Sequence, residues 1–156
     1  MQKQALVWAA SITVGLTACL GVETYRERSP VRSLAIRMVA RDGQAGEPLP
    51  RFSTDRGEIE VTRTVVVDAD HIRHVRLLEA ADGQRILVLD VDDVGRARLF
   101  EASRSNIGGR MAIVVEGRVV AAPIIRDPLI GNEVLVSVAP DEIDRTFAVM
   151  GIEDPS

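Results

Sequence analysis

The chain has 156 residues, of which 46% are hydrophobic and 27% charged, and its formal net charge at pH 7 is −4. This composition is typical of a globular protein, and the arginines are scattered among acids without a basic stripe, which argues against a nucleic-acid-binding protein. Only 3% of the residues are aromatic, so the core must be mostly aliphatic and platforms for base stacking are missing. If an N-terminal signal is set aside, the remaining part of the chain has the size of one ordinary domain.

The N-terminus has the features of a secretory signal. A short polar start with one lysine precedes an apolar run over residues 5–15, which is too short to span a bilayer as a mature helix. The run ends in Leu16-Thr17-Ala18-Cys19, which resembles the lipobox of bacterial lipoproteins, and Cys19 is the only cysteine of the chain. We therefore predict a lipoprotein signal peptide over residues 1–18 and acylation of Cys19. The alternative is that Cys19 is an apolar residue of a signal anchor.

Acyl chains on Cys19 would hold the protein at a membrane surface, because each buried methylene contributes about 0.8 kcal/mol. The predicted location is the cell envelope, with the domain facing the periplasm. Leu20 follows the cysteine where aspartate could stand, and in Gram-negative lipoproteins this implies transfer to the outer membrane. Residues 19–32 have little periodicity and include Pro30, so we predict a mobile tether there.

Strand signals begin after the tether. Residues 34–39 have strand composition, whereas residues 42–55 contain two glycines and two prolines and predict an exposed loop. From Glu58 the chain alternates as a half-buried strand does, with one apolar face made of Ile59, Val61, Val65 and Val67. A short turn over residues 68–72 then leads into a hairpin around Asp82-Gly83, with strands over residues 73–80 and 85–90.

A helix follows the hairpin. Asp92 or Asp93 can cap its start, and Gly108-Gly109 ends it. The apolar stripe of this helix is imperfect, and we expect the charged side chains to be solvated. The stripe consists of Val94, Ala97, Phe100 and Ile107, and the solvated set of Arg96, Arg98, Glu101 and Arg104.

The next segment predicts a tight hairpin at the middle of the core. Two runs rich in Val and Ile, residues 111–115 and 118–125, are separated only by Glu116-Gly117. A further strand over residues 133–138 places Val134, Val136 and Val138 on one face. A last helix starts at Pro140-Asp141-Glu142, ends at Gly151 and buries Ile143, Phe147 and Met150.

The helix and the central hairpin resemble the head subdomain of the first large periplasmic domain of SecD, the accessory subunit of the bacterial protein-export machinery. In that family a helix ends in Asn-Ile-Gly and a hairpin with a turn glycine and a later proline follows. The matching residues are Asn106-Ile107-Gly108, Met111-Ala112-Ile113-Val114, Gly117, Val119, Ala122-Pro123 and Ile125. The resemblance extends from about Leu34 to Met150 and does not include the transmembrane helices of SecD. The chain departs from the family at Ile130-Gly131-Asn132 and over residues 135–138.

The element order and the resemblance together predict an α+β domain over residues 33–151, followed by a C-terminal tail over residues 152–156. We expect a largely antiparallel sheet with two helices packed on one face, similar to the SecD head.

No constellation of side chains predicts a reaction. His71 and His74 lie near Asp68 and Asp70, but residues three apart on a strand point to opposite faces and a third ligand is not obvious. The acidic cluster of Asp90, Asp92 and Asp93 lacks the spacing of a calcium loop. Ser103 and Ser105 are expected to be exposed helix serines without a neighbouring base. We therefore predict no catalytic residues, no metal and no cofactor.

The leading hypothesis is a non-enzymatic, lipid-anchored module that binds another polypeptide, because the SecD head is thought to engage emerging preprotein. Loops on a rigid sheet are the favoured place for a binding surface. The candidate loops are residues 108–110 and 125–133, and the residues singled out in them are Gly108, Gly109, Arg110, Arg126 and Asn132. Three alternatives remain: these loops are ordinary connections, the protein is a structural envelope lipoprotein, or it is a small hydrolase.

Overall fold

The structure is a computed structural model that describes residues 33–52, 57–79 and 82–138, the short segments Val7–Trp8 and Thr24–Arg28, and the two single residues Thr146 and Ala148. The predicted lipobox Leu16-Thr17-Ala18-Cys19 and the C-terminal tail lie outside the described residues, and so does most of the second predicted helix. The predictions for those segments stay predictions.

The described residues form ten strands, one α-helix and one 3-10 turn. In chain order these are β1 (Val7–Trp8), β2 (Thr24–Arg28), β3 (Ala35–Val39), β4 (Glu47–Pro50), β5 (Glu58–Asp68), the 3-10 turn (Ala69–His71), β6 (Ile72–Glu79), β7 (Arg85–Val91), α1 (Asp93–Ser105), β8 (Met111–Val115), β9 (Arg118–Ala121) and β10 (Glu133–Ser137).

The strands form two sheets, where the sequence predicted one. Sheet A has the order β1-β10-β7-β6-β2, and sheet B has the order β4-β5-β3-β8-β9. All strand pairs are antiparallel except β1 with β10. Sheet B curls until its edges meet, since Arg51 bridges Val119 in parallel and the Phe52 N–H donates to the Val119 carbonyl at 3.0 Å.

The curl of sheet B explains the unbroken apolar run of β8. Met111, Ile113 and Val115 pack in the main core, which also receives sheet A and α1. The alternate residues Ala112 and Val114 point to the other face, into a smaller cluster with residues of β4, β5 and β9. Because both faces of β8 are covered, all five of its residues are buried.

Both predicted hairpins are confirmed. Strands β8 and β9 are joined by Glu116 and Gly117, whose φ values of 49° and 73° are those of a tight turn in which both central residues are left-handed. Strands β6 and β7 pair around Gly83, which also has a positive φ of 79°. The strand predicted over residues 133–138 is present as β10.

Two details of the predicted strands are wrong. The predicted loop over residues 42–55 contains β4, because Pro48 and Pro50 are tolerated on a strand that lies at the edge of its sheet. Val65 was placed on the buried face of β5, yet it is 42% exposed, because the β3–β5 ladder has register shifts on both sides of the Arg37–Val65 pair.

One α-helix is found in the described part of the chain, where the sequence predicted two. For the second helix, only Thr146 and Ala148 are described, and both have helical backbone. Strand β2 lies within the predicted tether and pairs with β6, and β1 lies within the predicted signal and pairs with β10. Among the described residues, no helix is both long and apolar enough to cross a membrane.

Candidate functional site

The N-terminus of α1 is held by a hydrogen-bonded pair of side chains. Asp92 caps the helix, since its Oδ1 accepts from the Gly95 N–H at 2.7 Å, and its Oδ2 lies 3.0 Å from His71 Nδ1. The Gly95 N–H, and after it the His71 ring, hold the pKa of the Asp92 carboxyl below its usual value. The Asp92 N–H also donates to the His71 carbonyl at 3.0 Å. His71 therefore joins the 3-10 turn to the helix.

This geometry gives His71 a structural partner in Asp92. Within residues 33–52, 57–79 and 82–138, no three His, Cys, Asp or Glu side chains are arranged to hold a metal ion. Glycine at position 95 relieves crowding at this junction, because a Cβ there would lie 3.0 Å from Val91 Cβ and 3.1 Å from the His71 carbonyl oxygen. We conclude that these residues connect the two sheets to the helix.

The predicted apolar stripe of α1 lies mostly on the outside of the protein. The residues that face the core are Gly95, Leu99 and Ser103. Val94 is 45% exposed, Ile107 is 52% exposed, and Ala97 is also exposed. The prediction that Ser103 is exposed is wrong, since it is fully buried. The exposed side of the helix therefore carries the apolar Val94 and Ala97 among charged side chains such as Arg98.

A loop over residues 126–132 runs along α1 in the opposite direction and is tied to it at three levels. At the C-terminal end of the helix, Ile125 exchanges backbone hydrogen bonds of 2.8 Å with Gly108 and Gly109. In the last turn of the helix, the Leu129 N–H donates to Ser103 Oγ at 2.8 Å. Beyond the N-terminal end, the Asn132 carbonyl accepts from the Val91 N–H at 2.8 Å.

A shallow apolar hollow of about 350 Å³ lies between the helix and this loop. Its lining residues are Arg96, Ala97, Phe100 and Ile130. The Ile130 side chain is 53% exposed, although the neighbouring Leu129 is only 2% exposed and anchors the loop in the core. The Arg104 guanidinium lies 5.8 Å from the centre of the Phe100 ring. Arginines thus border an open apolar surface on two sides.

The candidate loop residues lie at the two ends of this surface. The backbone bonds of Ile125 bring Gly108, Gly109 and Arg110 next to Arg126 at the C-terminal end of α1. Asn132 lies beyond the N-terminal end, about 20 Å away along a helix of 13 residues. Gly109 packs too closely for any side chain, since a Cβ there would lie 2.9 Å from the Asn106 carbonyl oxygen.

Sequence reasoning found the loop but not the side chain at the centre of the surface. Ile130 lies in the candidate loop over residues 125–133 but was singled out only as a departure from the family pattern, and Ser103 only as a serine without a base. One signal was available: two large apolar residues, Leu129 and Ile130, occupy a loop bounded by Pro128 and Gly131. The pattern could not say which of the two is buried, because a loop has no fixed period.

The fold and the hollow define a class of protein: a mostly antiparallel domain of two sheets in which a helix and a loop enclose a small apolar hollow at the surface. A family model described as the SecDF P1 head subdomain matches residues 46–142, which is more than half of the chain. The chain therefore belongs to the SecDF P1 head subdomain family.

Two solved structures are similar to the chain. One is described as "Structure and function of a membrane component SecDF that enhances protein export"; its TM-score is 0.59 and its identity 21%, over 76% of this chain and 60% of that one. The other is described as "Crystal structure of SecDF in Super-membrane-facing form"; its TM-score is 0.57 and its identity 23%, over 71% of this chain and 17% of that one. The chain thus spans less than two thirds of either protein. A comparison with curated protein sequences found no match.

Proposed function

We propose that this chain is a non-enzymatic, periplasm-facing module that binds unfolded or extended polypeptide and is accessory to protein export or envelope biogenesis. The observation that carries the proposal is the apolar hollow formed by Ala97, Phe100 and Ile130. Ile130 is 53% exposed beside the buried Leu129, and it adjoins Ala97 and Phe100, so it belongs to a contiguous apolar patch and is not an isolated surface residue.

The chemistry of the hollow favours a polypeptide over a small substrate. The hollow is shallow and apolar, and its one charged lining residue is Arg96, which pairs with Asp93 at 3.5 Å. A reaction would require convergent polar groups in a deeper cleft. An apolar surface with arginines beside it suits side chains of many sequences, because dispersion and cation–π contacts need no particular pattern of hydrogen bonds.

Membership of the SecDF head family supports a role connected with export, since one similar structure is described as a membrane component that enhances protein export. In this proposal the present chain captures polypeptide on its surface. Acylation of Cys19 places the module at a membrane, with the outer membrane favoured by Leu20.

Crosslinking in the intact envelope tests this function. Photoreactive probes are placed singly at Arg96, which lines the hollow, and at Arg126 and Asn132, which lie at the two ends of the surface. A control probe is placed at exposed Glu116 in the β8–β9 turn. Gly109 is avoided because it has no room for a side chain. We expect many unrelated secreted chains, or the export machinery, at the first three positions and few at Glu116.

The other outcomes contradict the proposal. Capture of one defined envelope protein at all three positions would make the chain an adaptor with an inherited fold. Capture of nothing, with the probes shown to be reactive, would favour a structural envelope lipoprotein.

A further inference from the structure

One edge of sheet A is only partly covered by the residues that the structure describes. Strand β10 has five residues, and its outer neighbour β1 pairs in parallel with two of them, Val7 with Leu135 and Trp8 with Val136. A strand edge carries N–H and C=O groups that can pair with another chain. The segment that pairs at this edge, Val7–Trp8, is short, apolar and extended.

The backbone bonds show which groups of β10 face this edge. The Val91 N–H donates to the Asn132 carbonyl, and the register of β10 with β7 continues this pair. Directly bonded pairs alternate along an antiparallel ladder. Val134 and Val136 therefore direct their backbone groups to β7. Glu133, Leu135 and Ser137 direct theirs to the opposite edge, where β1 lies.

We propose that this edge binds an extended apolar segment of a polypeptide partner, which adds to β10 as a parallel strand in the place of β1. The inference rests on the proposed function and names the way in which the partner is held. Main-chain hydrogen bonds give such binding its affinity without restricting the partner's sequence.

Three observations support this occupant. Val7–Trp8 shows that an apolar segment fits in parallel register. Leu135 and Val136, the two residues that pair with β1, are 8% and 1% exposed, so an added strand lies beside apolar side chains that are buried on both faces of the sheet. Ile130 of the hollow precedes Leu135 by five residues, so their Cα atoms are at most about 18 Å apart and one partner chain can reach both.

In this proposal, cleavage of the signal peptide before Cys19 makes the outer edge of β10 accessible to the partner. Cleavage before Cys19 removes Val7–Trp8 and leaves β10 as an edge strand. Before cleavage the chain's own segment occupies the position, so the uncleaved protein binds the partner more weakly.

A pair of synthetic peptides tests the proposal by fluorescence anisotropy. The first peptide has the sequence of residues 5–12 with solubilising lysines and a fluorophore. The second is identical but is N-methylated at alternate residues, so that it keeps its side chains and loses strand pairing. The protein is the full chain with Val7→Asp and Trp8→Asp. These two substitutions prevent β1 from pairing with β10 and so leave that edge free, and this variant is called the cleared protein.

We expect the first peptide to bind the cleared protein at least tenfold more tightly than the second does, and at least tenfold more tightly than it binds the unchanged chain. Ser137→Pro removes an N–H that points to the edge, and we expect it to weaken binding at least fivefold. Ser137→Ala is the matched control, because it loses only the 3.3 Å bond between Ser137 Oγ and Gln84 Nε2.

Each other result overturns the strand-addition proposal in a recognisable way. If both peptides bind equally and Ile130→Asp weakens both, the hollow alone binds and the proposed function survives. If neither peptide nor an unfolded protein binds, the proposed function fails as well. If the unchanged chain forms a dimer that Val7→Asp and Trp8→Asp abolish, the edge belongs to a second copy of the chain.

Discussion

The Ser103 hydroxyl oxygen accepts a hydrogen bond of 2.8 Å from the Leu129 N–H in the interior, and Ser103 donates its own proton to the Phe100 carbonyl at 3.1 Å. These two bonds tie the loop over residues 126–132 to the helix. The backbone of Leu129 is thereby fixed, and so is the direction in which the next residue, Ile130, projects. A serine without a catalytic partner thus shapes the candidate binding surface.

Ser103→Ala is expected to destabilise the protein by about 1–3 kcal/mol, because it leaves the buried Leu129 N–H without an acceptor. Urea unfolding measures the effect. The control is Ser105→Ala on the exposed side of the same helix, which we expect to change stability by less than about 0.5 kcal/mol. Equal effects of the two substitutions would contradict the role assigned to Ser103.

The orientation of α1 makes a second prediction. Leu99 is fully buried in the main core, so Leu99→Ala should cost about 2–5 kcal/mol through lost contacts and a cavity. Val94→Ala, at a position 45% exposed, should change stability by less than about 0.5 kcal/mol. Thermal or urea unfolding compares the two. A larger cost for Val94→Ala would restore the helix orientation that the sequence suggested.

A charge introduced at Ile130 tests whether the hollow binds unfolded polypeptide. Ile130→Asp should lower the affinity for a reduced, carboxymethylated and permanently unfolded protein by at least fivefold, because it places a carboxylate on an apolar contact surface. The unfolding midpoint should change little, since Ile130 is 53% exposed. Ile124→Asp, at a site 46% exposed on the strand side of the loop, is the control. Similar losses for both substitutions would argue for a general charge effect.

The Asp92 carboxyl should make the stability depend on pH in the acid range. Its pKa is lowered in the folded protein, so its contribution is present above the unfolded carboxyl's pKa of about 3.9 and is lost as the pH falls through the folded value. Asp92→Asn keeps a capping side chain and removes the charge. The difference in melting temperature between the two proteins should therefore shrink between pH 5 and pH 2. A constant difference over that range would show that the charge contributes nothing.

The predicted lipid anchor has its own test. Cys19→Ser should abolish acylation and release the protein from membranes, as measured by intact mass and by fractionation. Leu20→Asp should keep the acyl chains and move the protein from the outer to the inner membrane fraction. A Cys19→Ser protein that still carries lipid and sediments with membranes would contradict the lipoprotein interpretation.

Local sequence signals predicted the elements whose geometry depends on neighbouring residues. The Glu116-Gly117 pair predicted the β8–β9 hairpin because a two-residue turn requires left-handed backbone, and Asp92 predicted the start of α1 because a carboxylate can cap free N–H groups. Predictions that depended on a partner element were less successful. The apolar residues of α1 were assigned to one stripe, yet the core receives Leu99 and the small residues Gly95 and Ser103.

The physical reason is that burial is a property of the assembled chain. Gly95 and Ser103 are small because the His71 carbonyl and the Leu129 N–H approach the helix there, and no period in the helix sequence records those neighbours. The division of the strands into two sheets and the curl of sheet B likewise depend on pairings between residues far apart, such as Arg51 with Val119.

The sequence by itself therefore determined the turns, the helix cap, the strand propensities and the family, since each of these depends on nearby residues or on a linear motif. Only the tertiary structure decided which apolar side chains remain outside. Leu129 and Ile130 are adjacent and similar, but the Ser103 hydroxyl and the packing of the loop against α1 bury the first and leave the second exposed. The exposure of Ile130 creates the apolar surface on which the proposed function rests.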